Sequence, residues 1–393
     1  MDGRRQYKRS IVLVASAALV ISNLAACVTV TIDERGDPFD ELPAWSPNGR
    51  NLVHVCYWPN NRDTSGRDIA NPYSPVDKWL EICITDLASR HRLRITKDEQ
   101  YNYDPSWSPD GSYIAFIGKN SLFVSTPDGS EVKKVSLGRQ ITHYPGQQYS
   151  WSPDGLQLCF AANAIGELGS LETDLFLVSL SEMTIRQLTN WSGAELDPRW
   201  APNGDRLAFI WSPKDVQANI AQIHIIDVRS GDSEQIIETF EGASLQQRAI
   251  SDLAWSPDGK LLAFIGSRNS IRSAVYLVDV NTGQLDRITT EMELLSDLAW
   301  SPDGSHLVFV GQDPRDGEGI FSIKFNGTDL KQLTDQRDFD DGSSFYTTRG
   351  QRLTWSSDGQ VLAFVRNGQN DPEQGIWIIR LDGSSSPEMI TGE

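Results

Sequence analysis

The chain has 393 residues, with 35 lysines and arginines against 53 aspartates and glutamates, so its formal net charge at pH 7 is −18. This acidity opposes binding to nucleic acid and to anionic lipid, because both carry charge of the same sign. The solubility of an exported protein accounts for the charge, and a cationic partner or a metal ion is the alternative.

The N-terminus has the pattern of an export signal. Four basic residues lie within the first nine positions, and an apolar run over 11–21 follows them. That run is too short to cross a membrane as a helix, which needs about 20 apolar residues. Residues 1–26 are therefore predicted to be a signal peptide.

The segment Leu24–Cys27, with the sequence LAAC, resembles a bacterial lipobox. This resemblance implies cleavage before Cys27, lipidation of that cysteine, and a tether over 27–41. A diacyl anchor is sufficient for stable attachment to a membrane. We therefore expect an exported, membrane-anchored lipoprotein on the extracytoplasmic side, in the periplasm or at the cell surface, that touches the membrane through its lipid only. An ordinary secretory signal is the alternative.

A tryptophan followed by a tight-turn sequence then recurs at intervals of 44 to 62 residues. In the commonest form, W-S-P-D-G, proline presets a φ of about −65° and glycine accepts a positive φ at the end of the turn. A repeat of this period indicates a solenoid or a propeller. The seven copies begin at Trp45, Trp107, Trp151, Trp200, Trp255, Trp300 and Trp355.

Each copy predicts four short antiparallel strands. In the fifth, these are a strand ending at Trp255, then 261–265, 275–280 and a short strand ending at 289. No helical periodicity lies between them. The sequence predicts an all-β, seven-bladed β-propeller of four-stranded antiparallel blades over 42–393, preceded by the signal peptide. Each motif tryptophan is predicted to pack between neighbouring blades, so Trp255→Ala should destabilise the fold.

The repeats resemble the WD-like β-propeller repeats of TolB-type proteins, over roughly residues 42–391. The resemblance implies a propeller but not one activity, because this scaffold hosts many functions. TolB has six blades and an additional α/β domain, so its role in the Tol–Pal system does not transfer directly. Similar repeats form the propellers of prolyl-oligopeptidase-like peptidases, which carry a hydrolase domain that we do not expect after residue 391, and of oligogalacturonate lyases, which use a histidine-rich metal site.

Three cysteines follow the lipobox. Cys56 and Cys83 fall on neighbouring predicted strands of the first blade, where a disulfide and two buried thiols are both open alternatives. Cys159 is predicted to pack as a small apolar residue.

Four aspartates stand three residues before a motif tryptophan, where the innermost strand begins. A propeller would gather their carboxylates around one mouth of the central channel, where they could bind a cation or a basic peptide end. The alternative is structural, since aspartate often accepts backbone N–H bonds in loops. These residues are Asp104, Asp197, Asp252 and Asp297.

Two long segments are the other predicted binding region, because binding residues concentrate on loops held by a rigid scaffold. The segments are 57–78 and 335–350, which a closed ring would bring together. Their aromatic and acidic side chains suit a peptide, a sugar or a cationic ligand. Insertions without a role are the alternative. The candidates are Trp58, Tyr73, Phe339, Asp340, Asp341 and Tyr346.

No catalytic motif, metal-ligand spacing or nucleotide fingerprint occurs in the sequence, and the acidic run near Asp340 lacks the spacing of a calcium loop. We therefore expect no cofactor and no metal. The predicted function is a non-catalytic module that binds a protein or peptide of the cell envelope. The alternatives are a carbohydrate-active or peptidase-associated enzyme component with a site at the channel mouth, and a structural scaffold.

Overall fold

The computed structural model describes residues 41–59, 78–98, 100–135, 149–163, 173–213, 219–242, 249–268, 272–313, 317–334, 353–366, 375–381 and 387–391. The chain divides into two compact units, 1–31 and 32–393, and all described residues belong to the second. Cys27 and the proposed tether therefore lie outside the described residues. Within the described ranges, no helix is long and apolar enough to cross a membrane.

The described residues form strands β1–β28, which we group into seven repeats of four. Repeat 1 contains β1 (Glu41–Trp45), β2 (Asn51–Pro59), β3 (Lys78–Asp86) and β4 (Arg92–Arg94); repeat 2 contains β5 (Asn102–Trp107), β6 (Ile114–Gly118), β7 (Ser121–Ser125) and β8 (Val132–Lys134). Repeat 3 contains β9 (Tyr149–Trp151), β10 (Gln157–Asn163), β11 (Thr173–Ser179) and β12 (Thr184–Gln187); repeat 4 contains β13 (Ala194–Trp200), β14 (Arg206–Ser212), β15 (Asn219–Asp227) and β16 (Ser233–Gly242).

The remaining strands follow the same order. Repeat 5 contains β17 (Ile250–Trp255), β18 (Leu261–Gly266), β19 (Ala274–Asp279) and β20 (Leu285–Arg287); repeat 6 contains β21 (Glu293–Trp300), β22 (His306–Asp313), β23 (Gly317–Lys324) and β24 (Lys331–Gln332); repeat 7 contains β25 (Thr354–Trp355), β26 (Val361–Arg366), β27 (Gly375–Arg380) and β28 (Glu388–Met389).

Consecutive strands pair antiparallel within each repeat. Repeats 3 and 4 share one eight-stranded sheet, because a parallel bridge joins Thr173 to Ala194. The predictions of an all-β fold and of four-stranded antiparallel sheets are therefore confirmed for the described residues.

The turn motif is held by its own side chains. In repeat 5, the Ser256 hydroxyl donates to Asp258 Oδ1 over 2.7 Å and accepts the N–H of Leu261 over 2.9 Å. Asp258 Oδ1 also accepts the N–H of Lys260, and Gly259 has a φ of 69°. The hydrogen bond from Ser256 is the main reason that the pKa of Asp258 lies below its ordinary value. Serine and aspartate are thus fixed in the motif by the turn itself.

Three motif tryptophans donate a hydrogen bond to the backbone of the preceding repeat. The indole N–H of Trp255 donates to the backbone oxygen of Arg199 over 3.0 Å, and that of Trp300 donates to Ala254 over 3.0 Å. Trp45 makes the same bond to Thr354, so repeat 1 contacts repeat 7. The acceptor is the residue before the preceding motif tryptophan in all three cases. Packing of these tryptophans between repeats is as predicted.

The turns also contact one another in sequence. A Cβ built on Gly111 would lie 3.7 Å from Cδ of Pro47 in the preceding motif, and one built on Gly49 would lie 3.4 Å from the Ser357 hydroxyl. The first and last repeats are therefore in contact at their turns. The same glycine–proline contact joins Gly204 to Pro153, Gly259 to Pro202, Gly304 to Pro257 and Gly359 to Pro302.

A threonine hydroxyl closes the outer edge of five repeats. It accepts the backbone N–H of a residue near the start of the third strand at 2.8 to 3.1 Å, and this contact explains why a threonine lies two residues after the end of the fourth strand. The pairs are Thr96 with Ile82, Thr189 with Leu175, Thr289 with Val275, Thr334 with Ile320, and Thr391 with Ile376.

Cys56 and Cys83 form a disulfide whose Cα atoms are 5.8 Å apart, which decides between the two alternatives left open by the sequence. Both residues are fully buried. In repeat 5 an aromatic pair, Phe264 and Tyr276, links the second and third strands instead. Closing a loop with a sequence separation of 27 is worth about 3–4 kcal/mol in the chain-entropy account. Cys159 is a buried free thiol, and burial raises its pKa.

Candidate binding site on the innermost strands

The four predicted aspartates occupy one strained position of the repeat. Each lies at a register shift in the first strand and has a positive φ of 54° to 59°. Aspartate tolerates this left-handed conformation better than most residues, because its short side chain can hydrogen-bond locally. Leu42 adopts the same conformation in repeat 1, with a φ of 54°. Backbone geometry is therefore one reason for aspartate at this position.

Asp197 connects repeat 4 to repeat 5. Its carboxylate is 2% exposed and forms an ion pair with Arg199 at 2.6 Å. The other carboxylate oxygen accepts the N–H of Leu253, on the first strand of repeat 5, over 3.1 Å. Arg199 Nε donates to the backbone oxygen of Leu253 over 2.8 Å. One charged pair thus bridges two innermost strands.

Asp252 continues this arrangement into repeat 6. It is half-buried, and its Oδ1 accepts the N–H of Asp297 over 3.3 Å. Burial raises the pKa of Asp252, and repulsion from Asp197 adds to the rise, while a hydrogen bond from Ser251 and the charge of Arg199 oppose it. The carboxylates of Asp197 and Asp252 therefore interact electrostatically.

Asp297 is also half-buried, and it accepts the Ser296 hydroxyl over 2.7 Å. We call Asp197, Asp252 and Asp297 the carboxylate row, because hydrogen bonds from one repeat to the next connect them. Asp104 is buried on β5 in repeat 2, so repeat 3 separates it from this row. The burial of Tyr103, together with the charge of Asp104, raises the pKa of that tyrosine.

Most predicted loop residues fall outside the part of the chain that the structure describes. These are Tyr73, Phe339, Asp340, Asp341 and Tyr346. The backbone of Trp58 lies on β2 and pairs with Trp79 of β3. Whether the two long segments meet stays a prediction.

Two other arrangements bear on chemistry. In the parts of the chain that the structure describes, no three histidine, cysteine, aspartate or glutamate side chains are grouped so as to hold a metal ion. In the turn of repeat 6, the Ser305 hydroxyl contacts His306 Nδ1 at 2.7 Å and also Asp303. A nucleophilic triad needs histidine between the serine and the carboxylate, so this local contact does not have that order.

Arg199 was missed in the sequence, although a signal for it exists. It precedes a motif tryptophan, where the other repeats have alanine, serine or threonine. A single charged residue at an otherwise small position marks a departure from the repeat, and the structure shows that it neutralises part of the carboxylate row.

The sheets and joints of the seven repeats define a β-propeller, and the comparisons with known proteins agree. The family described as WD domain, G-beta repeat matches residues 234–272. The Tol-Pal system protein TolB of Francisella tularensis subsp. mediasiatica is 26% identical over 126 residues, which is 31% of this chain and 27% of that protein. These matches and the repeat support the TolB-like β-propeller family for this chain, which confirms the resemblance.

Other relatives are enzymes by name. Dipeptidyl-peptidase 5 of Porphyromonas endodontalis is 25% identical over 265 residues, covering 63% of this chain and 33% of that protein. The uncharacterized peptidase YuxL of Bacillus subtilis is 25% identical over 195 residues, covering 48% and 26%. The chain therefore spans about a third or less of the length of these two relatives. The solved oligogalacturonate lyase of Vibrio parahaemolyticus shares the fold, with a TM-score of 0.63, 12% identity, and coverage of 89% and 92%.

These names overturn two expectations. A non-catalytic binding module and the absence of enzymatic activity are both contradicted, because relatives over much of the chain are named as peptidases. The sequence interpretation was wrong because it required a catalytic motif within the repeats.

Proposed function

We propose that this chain is the β-propeller of a peptide-processing enzyme, and that its carboxylate row binds the cationic amino group of a peptide. The observation that carries the proposal is the row itself. Its three aspartates come from consecutive repeats: Asp197 accepts the backbone N–H of Leu253, and Asp252 accepts that of Asp297. Arg199 is the counter-charge of Asp197. The names of the relatives, a dipeptidyl peptidase and a peptidase, support a peptide as the substrate class.

The electrostatics favour a cation. Repulsion between Asp197 and Asp252 contributes to the raised pKa of Asp252, so a bound ammonium group would relieve that repulsion and favour the ionised form. The half-buried setting of Asp252 and Asp297 screens the attraction less than open solvent does. Asp252 and Asp297 are therefore partly accessible to solvent, and their attraction for a cation is stronger than it would be on an open surface.

The finer architecture belongs to the same proposal. Seven blades form a closed ring, which the contacts from each turn to the next, and from Gly49 to Ser357, support. The long segments 57–78 and 335–350 contribute aromatic and acidic side chains that contact the same peptide in this proposal. The protein is lipid-anchored at Cys27 outside the cytoplasm, and the Cys56–Cys83 disulfide supports an oxidising compartment. Metabolic labelling with a fatty acid tests the anchor; no label on the wild type, or undiminished label on Cys27→Ser, would reject it.

The peptide proposal is tested with matched peptides that carry a free or an acetylated amino terminus. By calorimetry, the free peptide should bind at least about tenfold more tightly, the factor that 1.4 kcal/mol provides. Asp252→Asn should reduce this preference. Asp104→Asn, at the same strained position in repeat 2, should change it less. Mass spectrometry of the incubated peptides then reports processing.

Two results would reject the proposal. The first is equal affinity for the free and acetylated peptides, which removes the role of the amino group. The second is an unchanged preference in Asp252→Asn, which removes the carboxylate row. Binding without processed peptides, even with cell-envelope extract added, would contradict the enzyme assignment while leaving the binding site intact.

A further inference from the structure

Glu318 is a buried acid with one carboxyl oxygen that no other described residue satisfies. It lies on β23 in repeat 6 and is 6% exposed. Its Oε1 atom is buried and has no hydrogen-bond partner among the described residues. A buried polar atom in this condition costs about 1–3 kcal/mol, and more if it is charged. Buried polar atoms in native structures are nearly all hydrogen-bonded, so this one calls for a specific explanation.

Repeats 1, 3 and 5 have no acid at this position. The threonine contacts align the repeats, since Glu318 lies two residues before Ile320, which donates to Thr334. By the same rule the equivalent residues are Leu80, Thr173 and Ser273 in repeats 1, 3 and 5. The fold therefore forms with uncharged residues here, and the acid is a particular feature of repeat 6.

The surroundings of Glu318 are apolar on one side. Alternation along β23 puts Glu318 on the same face as Ile320, which packs with Leu353 and Leu362 in the core between repeats 6 and 7. The neighbouring Gly319 is required by the close approach of another backbone, since a Cβ there would lie 2.2 Å from the backbone oxygen of Thr334.

The topology places this carboxyl at a sheet end. β23 begins where β22 ends, β24 ends opposite Phe321, and Glu318 pairs in register with the half-buried Gln312. Burial raises the pKa of Glu318 to about 7. An ammonium or guanidinium group would satisfy the orphaned oxygen, and the methylene stem of such a side chain would lie along the apolar side of Glu318.

We propose that Glu318 forms a second cation site, which takes the lysine or arginine side chain of a peptide. The inference rests on the proposed peptide-processing function and names a substrate preference for it. It uses a different part of the peptide from the carboxylate row, which binds the amino terminus. The proposals for the carboxylate row and for the Glu318 site can therefore be tested independently.

The test uses N-acetyl-lysine amide and N-acetyl-norleucine amide, which share a four-carbon stem and differ in the ammonium group. Both have a blocked amino terminus, so neither offers the carboxylate row an α-ammonium group, and Asp252→Asn reports any binding of the lysine ammonium there. Wild-type protein should bind the lysine amide at least about fivefold more tightly by calorimetry. Glu318→Gln should abolish this preference, while Glu318→Asp should retain part of it.

The control variant is Glu293→Gln, because Glu293 belongs to the same sheet but is exposed and paired with Arg272. It should keep the preference, as should Asp252→Asn. Equal binding of the two amides by wild-type protein, or a preference that survives in Glu318→Gln, overturns the second site. Since Glu318→Gln removes a buried charge, we expect it to fold, and its melting curve verifies this. A lost preference for free amino termini with an intact lysine preference would instead reject only the carboxylate row.

Discussion

Repeats 4 and 5 are held together by other side chains than repeats 7 and 1. We call the contact between two neighbouring repeats a joint. Both joints use an indole N–H that donates to the backbone oxygen before the preceding motif tryptophan. At the first joint Trp255 is 9% exposed, and the pair of Asp197 and Arg199 bridges the strands. At the second joint Trp45 is less buried, and Leu42 stands in repeat 1 where repeat 5 has Asp252.

The difference separates the residues that build the fold from those of the proposed site. Backbone-directed bonds and turn contacts recur at both joints, so they belong to the architecture. At the second joint Thr354 stands in the place of Arg199, so the indole bond of Trp45 forms there without an arginine. Charge at the innermost strands is therefore a local addition, consistent with a binding role.

The largest expected effect is the loss of a motif tryptophan. Trp255→Ala should cost about 3–5 kcal/mol of unfolding free energy, because it leaves a cavity between two repeats. Trp45→Ala should cost roughly half as much, since the side chain is less buried. Urea unfolding measures both. Equal losses would show that the two joints are equivalent and would remove the contrast between them.

The next effect concerns Asp252 and depends on pH. Asp252→Ala should cost about 1–2 kcal/mol, because it loses the bond to Asp297 and strains the left-handed backbone. Asp252→Asn keeps the acceptor and the backbone preference but removes the charge. Since the folded-state pKa is raised above the ordinary 3.8, protonation favours the folded state, and that stability is lost as pH rises through the folded pKa.

Asp252→Asn should therefore raise the melting temperature at pH 7, and its advantage should disappear as pH falls below 3.8. Melting curves across this range check the sign. A variant that is destabilised at pH 7 would mean that the charge stabilises the row, contrary to the burial of Asp252 and its repulsion from Asp197.

A smaller effect on stability should come from giving the motif turn of repeat 7 the proline that the other repeats have. Ser357 stands where repeat 5 has Pro257, and proline there presets the turn. Ser357→Pro should add about 0.5–1 kcal/mol by restricting the unfolded chain. The reverse change, Pro257→Ser, should cost a similar amount in repeat 5. Opposite signs in thermal unfolding are the expected result; a loss in both would show that the last turn has a different backbone.

The smallest effect is expected at the exposed ion pair of the repeat 7–1 joint. Glu388→Gln removes the partner of Arg90, whose side chain is 40% exposed against 55% for Glu388, and Arg90 keeps its bond to the backbone oxygen of Ile390. The loss should be below about 0.5 kcal/mol and should vanish in roughly 1 M salt. A larger loss that persists in salt would make this pair a main closure of the ring.

Much of the fold could be predicted because the repeated turn motif marks each repeat. The tryptophan, proline and glycine of the motif determine the local geometry of the turn, and the apolar, β-branched segments that follow it predict the strands. The Cys56–Cys83 pairing could be narrowed but not decided, since adjacent strands permit both a disulfide and two thiols. The sharing of one sheet by repeats 3 and 4 depends on a single bridge, Thr173 to Ala194, which no local pattern marks.

The site was predictable only in part. The spacing identified Asp197, Asp252 and Asp297, but the positive φ and the bonds between repeats appear only in three dimensions. Glu318 was missed because alternation in a strand does not show whether a carboxyl finds a partner. The enzymatic names of the relatives were missed because a propeller scaffold carries no catalytic signature of its own.

The indole-to-backbone bond has a consequence for substitution. Its acceptor is a carbonyl, which every amino acid possesses, so mutation of Arg199, Ala254 or Thr354 leaves the bond to Trp255, Trp300 or Trp45 intact. Repeat 3 differs, because Trp151 donates to the Ser106 hydroxyl and that bond requires the serine side chain. Arg199 shows that a carbonyl acceptor lets the chain place a charge between two repeats while the indole bond is kept.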